Sequence, residues 1–190
     1  MSMDVQRVLY KVLSDPIAKK FEALSADSTS GGGARDIRIG GFSSVETIRR
    51  ICRRMFPVDV NNGRSTFWQG RARWLDEFGE HETTLDFWQP TVSRPSEGRI
   101  ARVANHPCFP AQKYKDALAA GSGRVVSLII QRADGTLWHH FVNETSFSGA
   151  GWDPRVADPI RDCLDKGIAS GDFTVGAIDL DFSESYCSHD

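Results

Sequence analysis

The segment SRPSEGRIARVANH, residues 93–106, mixes arginines with hydroxyl, amide and carboxylate side chains. Its polar members of interest are Arg94, Ser96, Glu97, Arg99, Arg102 and Asn105. Arginine pairs bidentately with guanine edges, asparagine does so with adenine, serine serves either, and glutamate accepts from cytosine N4. Such a mixture is typical of base reading in DNA, whereas arginine alone supplies mainly affinity for phosphates. The alternative to base reading is a polar hairpin on the protein surface with no binding role.

A second unusual segment, SADSTSGGGARDIRIGG at residues 25–41, combines hydroxyl side chains, three consecutive glycines and two arginines. Glycine lets a backbone approach another molecule closely, but ordering a glycine run costs more entropy than ordering other residues. The segment is therefore either a flexible connector or a loop that becomes ordered when it binds another molecule.

Residues that could catalyse a reaction are few. His139 and His140 are neighbours in a predicted strand, so their imidazoles point to opposite faces and cannot both bind one metal ion. Residues 106–108 hold a histidine and a cysteine, but the flanking prolines indicate a stiff loop. Asp179 and Asp181 share a strand face, yet no lysine follows at nuclease spacing. We therefore predict no catalytic residue, no metal site and no cofactor.

Charge is unevenly distributed along the 190 residues, whose net charge is −2. Residues 1–110 hold 16 Lys and Arg against 13 Asp and Glu, a balance of +3, while residues 111–190 hold 7 against 12, a balance of −5. The basic excess is arginine-rich, which favours a local anionic partner over general coating of nucleic acid.

Four cysteines without a CxxC pair predict reduced, mostly buried thiols and neither a zinc site nor a disulfide framework. No signal peptide opens the chain, and its longest apolar run is far too short to span a membrane. We expect a cytoplasmic protein without a membrane partner.

Two helices are predicted near the start of the chain. Apolar residues at helical spacing predict one over about residues 4–24, with a break near Pro16. A capping box of Ser43 and Glu46 predicts the start of the other, and Pro57 its end. The second helix carries Arg49, Arg50, Arg53 and Arg54. These four arginines either form the solvent-exposed side of this helix or contact phosphates.

Short strands dominate the rest of the sequence. The predicted strands are RDIRI (35–39), STFWQGRAR (65–73), TTLDFWQP (83–90), GRIARVAN (98–105), RVVSLIIQ (124–131), TLWHHFV (136–142) and FTVGAIDLD (173–181), with helices at 111–120 and 155–169. Strands without a βαβ rhythm suggest an antiparallel sheet closed or nearly closed on itself. We predict a single, mainly β (α+β) domain over residues 1–190, barrel-like with short flanking helices. Within one strand, Arg99 and Arg102 would face opposite sides.

Two segments together resemble the amino-terminal effector-binding domain of EcoRII-type restriction endonucleases. One is FEALSADSTSGGGARDIRIGGFSSVETIRRICRRMFP (21–57), with an aromatic residue, LSA, a glycine-rich loop, a strand, a short helix and a Phe-Pro end. The other is LDFWQPTVSRPSEGRIARVAN (85–105), with an aromatic strand, a basic loop and a further strand. The hydrophobic hairpin at 123–142 is similar more weakly. The family domain is a DNA-binding pseudobarrel, an open seven-stranded antiparallel barrel similar to the B3 domains of plant transcription factors.

The resemblance implies two arms, residues 25–38 and 93–105, that grip the major groove of double-stranded DNA. The residues it assigns to DNA are Ser28, Thr29, Ser30, Gly31, Gly32, Arg35 and Arg38 in the first arm, and Arg94, Ser96, Glu97, Arg99, Arg102 and Asn105 in the second. It implies recognition in a restriction or phage-defence system without catalysis by this domain. Family enzymes carry a nuclease domain after this one, so a nuclease domain or subunit is a second candidate partner.

Two other functions stay open at this point. One is a small Mg²⁺-dependent nuclease whose site the sequence does not reveal. The other is a β-barrel module for a protein or small ligand, because five tryptophans and eleven phenylalanines could line a pocket. Binding to random-sequence duplex DNA would separate these functions from DNA recognition.

Overall fold

The computed structural model describes residues 4–13, 36–42, 45–63, 66–103, 106–170 and 174–189. The strands are β1 Val5–Val12, β2 Ile37–Ile39, β3 Val58–Asn61, β4 Thr66–Asp76, β5 Gly79–Trp88, β6 Gly98–Ile100, β7 Val125–Arg132, β8 Leu137–Asn143, β9 Val175–Asp179 and β10 Glu184–Cys187. The α-helices are α1 Glu46–Met55, α2 Ala111–Ala119 and α3 Pro154–Ser170, and Glu144–Ser148 forms a 3₁₀ turn. None of these described helices is long and apolar enough to cross a membrane.

The predicted N-terminal helix is wrong over its first half, where the chain forms β1. This strand lies between β7 and β9 and buries both of its faces. Val8 and Val12 pack towards α3, while Leu9 and Leu13 pack into the interior of the curled sheet. The apolar residues of both faces together fall at helical spacing, while Arg7 and Lys11, which are buried in the sheet, fit the polar side of a helix. The remainder of the predicted helix, residues 14–24, lies outside the described residues.

The described strands form one curled, open sheet, so the mainly β prediction is confirmed. Nine strands run in the order β10-β9-β1-β7-β8-β4-β5-β6-β2, and β3 pairs with β4 beside this path. The expectation of seven strands, all antiparallel, is wrong, because the sheet has more strands and β4 runs parallel to β8. The curl brings Gly41, just after β2, against the hydroxyl of Tyr186 on β10. The two ends of the sheet therefore meet in space.

Two apolar cores hold the curl. The inner core lies in the concave side and contains residues of β1, β2, β4, β5, β6, α1 and α2. The outer core joins β1, β7 and β9 to α3. At Gly98 a Cβ would lie 2.5 Å from the Phe87 ring, so only glycine lets β6 approach β5 this closely. This close approach packs β6 directly against the inner core.

Cysteine pairing differs from the sequence prediction. Cys163 on α3 and Cys187 on β10 form a disulfide, whereas all four thiols were expected to be reduced. Spacing along the chain cannot reveal this pair, because the contact arises from the packing of both residues in the outer core. Cys52 and Cys108 are free and buried, as predicted. Burial raises the pKa of Cys108 to about 12, so its thiol stays protonated at neutral pH.

The helix α1 begins later than its sequence signal suggests. Its first residue is Glu46, and the preceding Val45 makes no side-chain cap. Ser43, the other member of the predicted capping box, lies outside the described residues. One face of the helix is apolar, and its Ile48, Ile51 and Cys52 are buried against the inner core. The helix therefore presents its four arginines away from that core.

Candidate nucleic-acid interface

Pairing of β2 with β6 brings the two predicted arms together. In this antiparallel pair Ile37 faces Ile100 and Arg38 faces Arg99. Because successive side chains alternate between the faces of a strand, the isoleucines are buried in the inner core and the two arginines share the opposite face. Segments about sixty residues apart in sequence therefore place guanidinium groups side by side at one end of the sheet.

We call the surface around β2 and β6 the arm face, defined by Arg38, Arg94, Arg99 and Arg102. Each of these arginines is at least partly exposed. The carboxylates that pair with its arginines are those of Asp36 and Glu97. Four cations thus stand against two anions on this described surface, an arrangement that attracts a polyanion.

Arg99 is held in a fixed orientation. Its Nη1 donates to Asp36 Oδ2 at 3.0 Å, and its guanidinium lies 5.1 Å from the centre of the Trp88 ring. Trp88 in turn stacks on Phe67, with ring centres 5.3 Å apart. A guanidinium clamped between a carboxylate and an indole face loses little freedom when it binds. Arg99 is therefore preorganised for a directional contact.

Arg102 lies beyond the end of β6 and does not continue the strand. Its φ angle is 59°, in the left-handed region that non-glycine residues rarely adopt. Its backbone N–H donates to Asp36 Oδ1 at 3.0 Å, so one carboxylate organises both Arg99 and Arg102. The predicted strand at 98–105 is wrong at residues 101–103, because β6 stops at Ile100, so strand alternation does not apply to Arg102.

A buried lysine anchors β2 from the inner side of the sheet. Lys11 on β1 donates to the backbone carbonyl of Arg38. Burial lowers the pKa of Lys11 to about 8, an effect that the charge of Glu97 opposes and that of Arg38 reinforces. Glu97 itself lies 3.8 Å from Arg38 Nε. The first arm's base is thus tied to the centre of the sheet by a polar contact under the arm face.

The loop between β5 and β6 contains a tight turn. Arg94 N–H donates to the Thr91 carbonyl at 2.9 Å, and the Thr91 N–H donates back to the Arg94 carbonyl at 3.3 Å. Val92 and Ser93 form the tip of this turn, and both are exposed. The Arg94 side chain has no hydrogen-bond or ion-pair partner within the described ranges. Its charge is therefore available to a ligand.

Contacts join four of the predicted site residues, namely Arg38, Glu97, Arg99 and Arg102, with Asp36. Arg94 and Ser96 lie in the adjoining loop before β6. The other seven, Ser28, Thr29, Ser30, Gly31, Gly32, Arg35 and Asn105, lie outside the described residues. Sequence reasoning missed Lys11 because its segment was assigned to a helix. It also missed Asp36, whose only sequence signal was its position between two arginines of the first arm. Glu97, proposed as a cytosine reader, is ion-paired with Arg38.

The arginines of α1 make a different set of contacts. Arg54 Nη1 lies 2.9 Å from both Asp179 and Glu184 carboxylates, and Arg50 Nη2 lies 2.9 Å from Glu184. Arg53 forms a 2.7 Å ion pair with Asp59. These arginines line an open cavity of about 650 Å³ together with Arg49, Phe42 and Trp68. Most of the positive charge on α1 is therefore matched by carboxylates of the same chain.

Candidate catalytic groups have structural roles. His139 is buried and contacts Ser127 Oγ at 2.9 Å and the Cys108 carbonyl at 3.0 Å. Burial, the main cause, lowers the pKa of His139 well below its usual value, which keeps the imidazole neutral. Asp179 is fully buried and pairs with Arg7 at 2.8 Å. Over the described part of the chain, no three His, Cys, Asp or Glu side chains come together as metal ligands.

No family model, curated protein or solved structure matches this chain. The resemblance to EcoRII-type domains therefore stays a hypothesis based on the two quoted segments. The fold and the arm face define a mainly β protein with an arginine-rich surface at one end of its curled sheet.

Proposed function

We propose that this protein is a sequence-specific double-stranded DNA-binding domain that grips the major groove with residues 25–38 and 93–105. The observation that best supports the proposal is the register of β2 and β6, which sets Arg38 opposite Arg99. The major groove of B-DNA is wide enough for two strands of a sheet, and arginine is the commonest reader of guanine edges. A paired-strand surface that carries two adjacent arginines suits that groove.

The contacts within the arm face suggest which of its arginines read bases and which contact phosphates. Arg99 is clamped by Asp36 and Trp88, and a fixed guanidinium can form two directed hydrogen bonds to one base. Arg94 and Arg102 have no side-chain partner among the described residues. Such arginines can adapt to phosphates, which position a protein without carrying sequence information. We assign base reading to Arg99 and phosphate contact to Arg94 and Arg102.

The curled open sheet is compatible with the pseudobarrel of EcoRII-type and plant B3 domains. On this hypothesis the domain serves recognition in a restriction or phage-defence system, and a nuclease domain or subunit would perform any cleavage. The residues of the first arm assigned by the resemblance would add hydroxyl and backbone contacts to the same groove. No residue of the arm face is given a catalytic role.

Selection from random-sequence duplex DNA, followed by titration at several salt concentrations, tests the proposal. If the arms neutralise about 5–8 phosphates, the logarithm of the binding constant should fall with the logarithm of salt at a slope of about −5 to −7. The selected sequences should share a motif, and the purified protein should leave the duplex intact with or without Mg²⁺. Absence of duplex binding, or a slope near zero, would contradict DNA recognition, and reproducible strand cleavage would support the nuclease alternative.

A further inference from the structure

The tip of the loop between β5 and β6 carries an apolar side chain in full contact with solvent. Val92 is 102% exposed, the highest value among the large apolar side chains of the described residues, followed by Phe78 at 84%. A single exposed apolar residue is common on protein surfaces. Val92 is singled out by its place at the tip of the turn that includes Arg94 of the arm face.

The turn holds Val92 in place before any partner binds. The two backbone hydrogen bonds between Thr91 and Arg94 close the turn at both ends. The hydroxyl groups of Thr91 and Ser93 lie 3.2 Å apart across its tip. Pro90 and the proline after Arg94 bracket the turn, and each fixes its own φ angle. Val92 is therefore a preorganised projection, which costs little entropy on binding.

The surroundings of Val92 decide what it can contact. Its chain neighbours within the turn are Thr91, Ser93 and Arg94, all hydrogen-bonding residues. A lone valine among polar groups is too small an apolar patch to dock a protein or a membrane. In the major groove, by contrast, the C5 methyl of thymine is a compact apolar group flanked by hydrogen-bonding base edges. The turn and the groove thus each present one small apolar group among hydrogen-bonding groups.

We propose that Val92 contacts the 5-methyl group of a pyrimidine in the major groove and makes the protein sensitive to that methyl. This inference rests on the proposed function, because it needs the loop to enter the groove. The methyl group could belong to thymine or to 5-methylcytosine, which present the same chemistry at the same ring position. Burial of one methyl-sized group corresponds to a factor of about four in affinity.

The experiment combines variants that lack methyl groups on the protein with duplexes in which a base methyl group is removed or added. Each thymine of the selected duplex is replaced in turn by deoxyuridine, which lacks only the methyl, and each cytosine by 5-methylcytosine. Dissociation constants are measured for the unchanged protein, for Val92→Ala and for Val58→Ala. Val58 is the matched control, since it is an exposed valine on β3, outside the arm face.

We expect one position at which the unchanged protein and Val58→Ala favour the methylated base by about fourfold, while this preference is clearly smaller in Val92→Ala. A thymine position identifies thymine as the target, and a cytosine position identifies 5-methylcytosine. If Val92→Ala responds to every methyl as the unchanged protein does, or if no methyl matters, the inference is wrong although DNA recognition stands. If the unchanged protein binds no duplex at all, both proposals fail.

Discussion

The arm face and the helix α1 each carry four arginines, but they differ in what already holds those arginines. On α1, Arg50, Arg53 and Arg54 all pair with carboxylates of the same chain. On the arm face, Arg38 and Arg99 also pair with carboxylates. Arg94 and Arg102 have no side-chain partner among the described residues. The comparison teaches that a run of arginines does not by itself indicate a binding surface. What matters is how many of the arginines the fold leaves without a carboxylate partner.

The origin of the difference lies in the charge asymmetry of the sequence. The acidic second part of the chain contributes Asp179, Asp181 and Glu184 from the region of β9 and β10. These residues neutralise Arg54 and Arg50 on α1 and Arg7 on β1. Some of the arginines whose charge suggested an external anionic partner are therefore already paired with carboxylates of the same chain. The arm face, at the other end of the strand order, receives no carboxylate from these strands within the described ranges.

The largest expected effect comes from breaking the internal network. Asp179→Asn leaves Arg7 and Arg54 without their shared carboxylate, and Asp179 is fully buried. Asp181 still pairs with Arg7 and Glu184 with Arg54. We therefore expect a loss of about 1–3 kcal/mol in the free energy of unfolding, because charge-assisted hydrogen bonds to a buried carboxylate are lost. Chemical denaturation measures the change.

The control for this variant is Asp59→Asn, which removes the exposed partner of Arg53. Exposed ion pairs contribute little, so we expect this change to cost less than about 1 kcal/mol. Equal losses from the two variants would show that the buried network is not a special source of stability, and the contrast between the two regions would disappear.

The second prediction tests the arm face from the opposite direction. Arg94→Ala should leave the free energy of unfolding within about 0.5 kcal/mol, because the side chain has no partner among the described residues. Its affinity for the selected duplex should fall uniformly across all single-base variants, and the salt slope should decrease by about 1. Fluorescence anisotropy at several salt concentrations measures both quantities.

Arg155→Ala serves as the matched control for Arg94→Ala, since Arg155 is an exposed arginine on α3 that pairs with Asp153. It should change neither affinity nor salt slope. Equal weakening by both variants would mean that DNA responds to overall charge and not to the arm face. A loss of preference at one base pair in Arg94→Ala would instead move Arg94 from phosphate contact to base reading.

Most of the strands could be predicted from the sequence because their apolar residues alternate or form short runs between turn residues. The pattern failed at β1, where apolar residues on both faces and the buried Arg7 and Lys11 together fit helical spacing. It could not reveal that Cys163 meets Cys187 or that β4 runs parallel to β8, because both contacts join segments far apart in the chain. Local patterns specify elements, whereas the pairing of distant elements depends on the packing of the whole core.

The candidate site was predictable in composition but not in organisation. Arg94 and Arg99 were identified because arginine beside serine and glutamate is typical of base reading. The clamp of Arg99 by Asp36 and Trp88 was not, since it needs the register of β6 against both β2 and β5. Lys11 was missed because its segment was assigned to a helix, and only the curl of the sheet brings it to the Arg38 carbonyl.

The third prediction concerns the lysine that supports the arm face. Burial lowers the pKa of Lys11 to about 8 in the folded protein, against 10.5 ordinarily. Between these values the unfolded chain binds more protons, so the free energy of unfolding should rise with pH, by at most about 1.4 kcal/mol per pH unit. Below about pH 8 both states are protonated and this contribution is flat.

Lys11→Met removes the titrating group and should lose this rise. The measurement is the difference in the free energy of unfolding between the two proteins from pH 7 to pH 9.5, which cancels groups common to both. Parallel profiles would show that Lys11 titrates normally and is not buried beneath the arm face.

The smallest effect is expected at Arg49, the one α1 arginine without a hydrogen-bond or ion-pair partner in the described part of the chain. It is exposed and lines the same cavity as Arg50, Arg53 and Arg54, where the carboxylate partners of those arginines already offset most of the charge. A surface of balanced charge attracts phosphates weakly, so Arg49→Ala should change DNA affinity by less than about 0.5 kcal/mol and leave the salt slope unaltered. The same anisotropy titrations detect the alternative, since loss of one phosphate contact lowers the slope by about 1 for every sequence alike. That result would make α1 a third region of contact with the DNA backbone, and internal pairing of its other arginines would then serve to orient the helix towards the duplex.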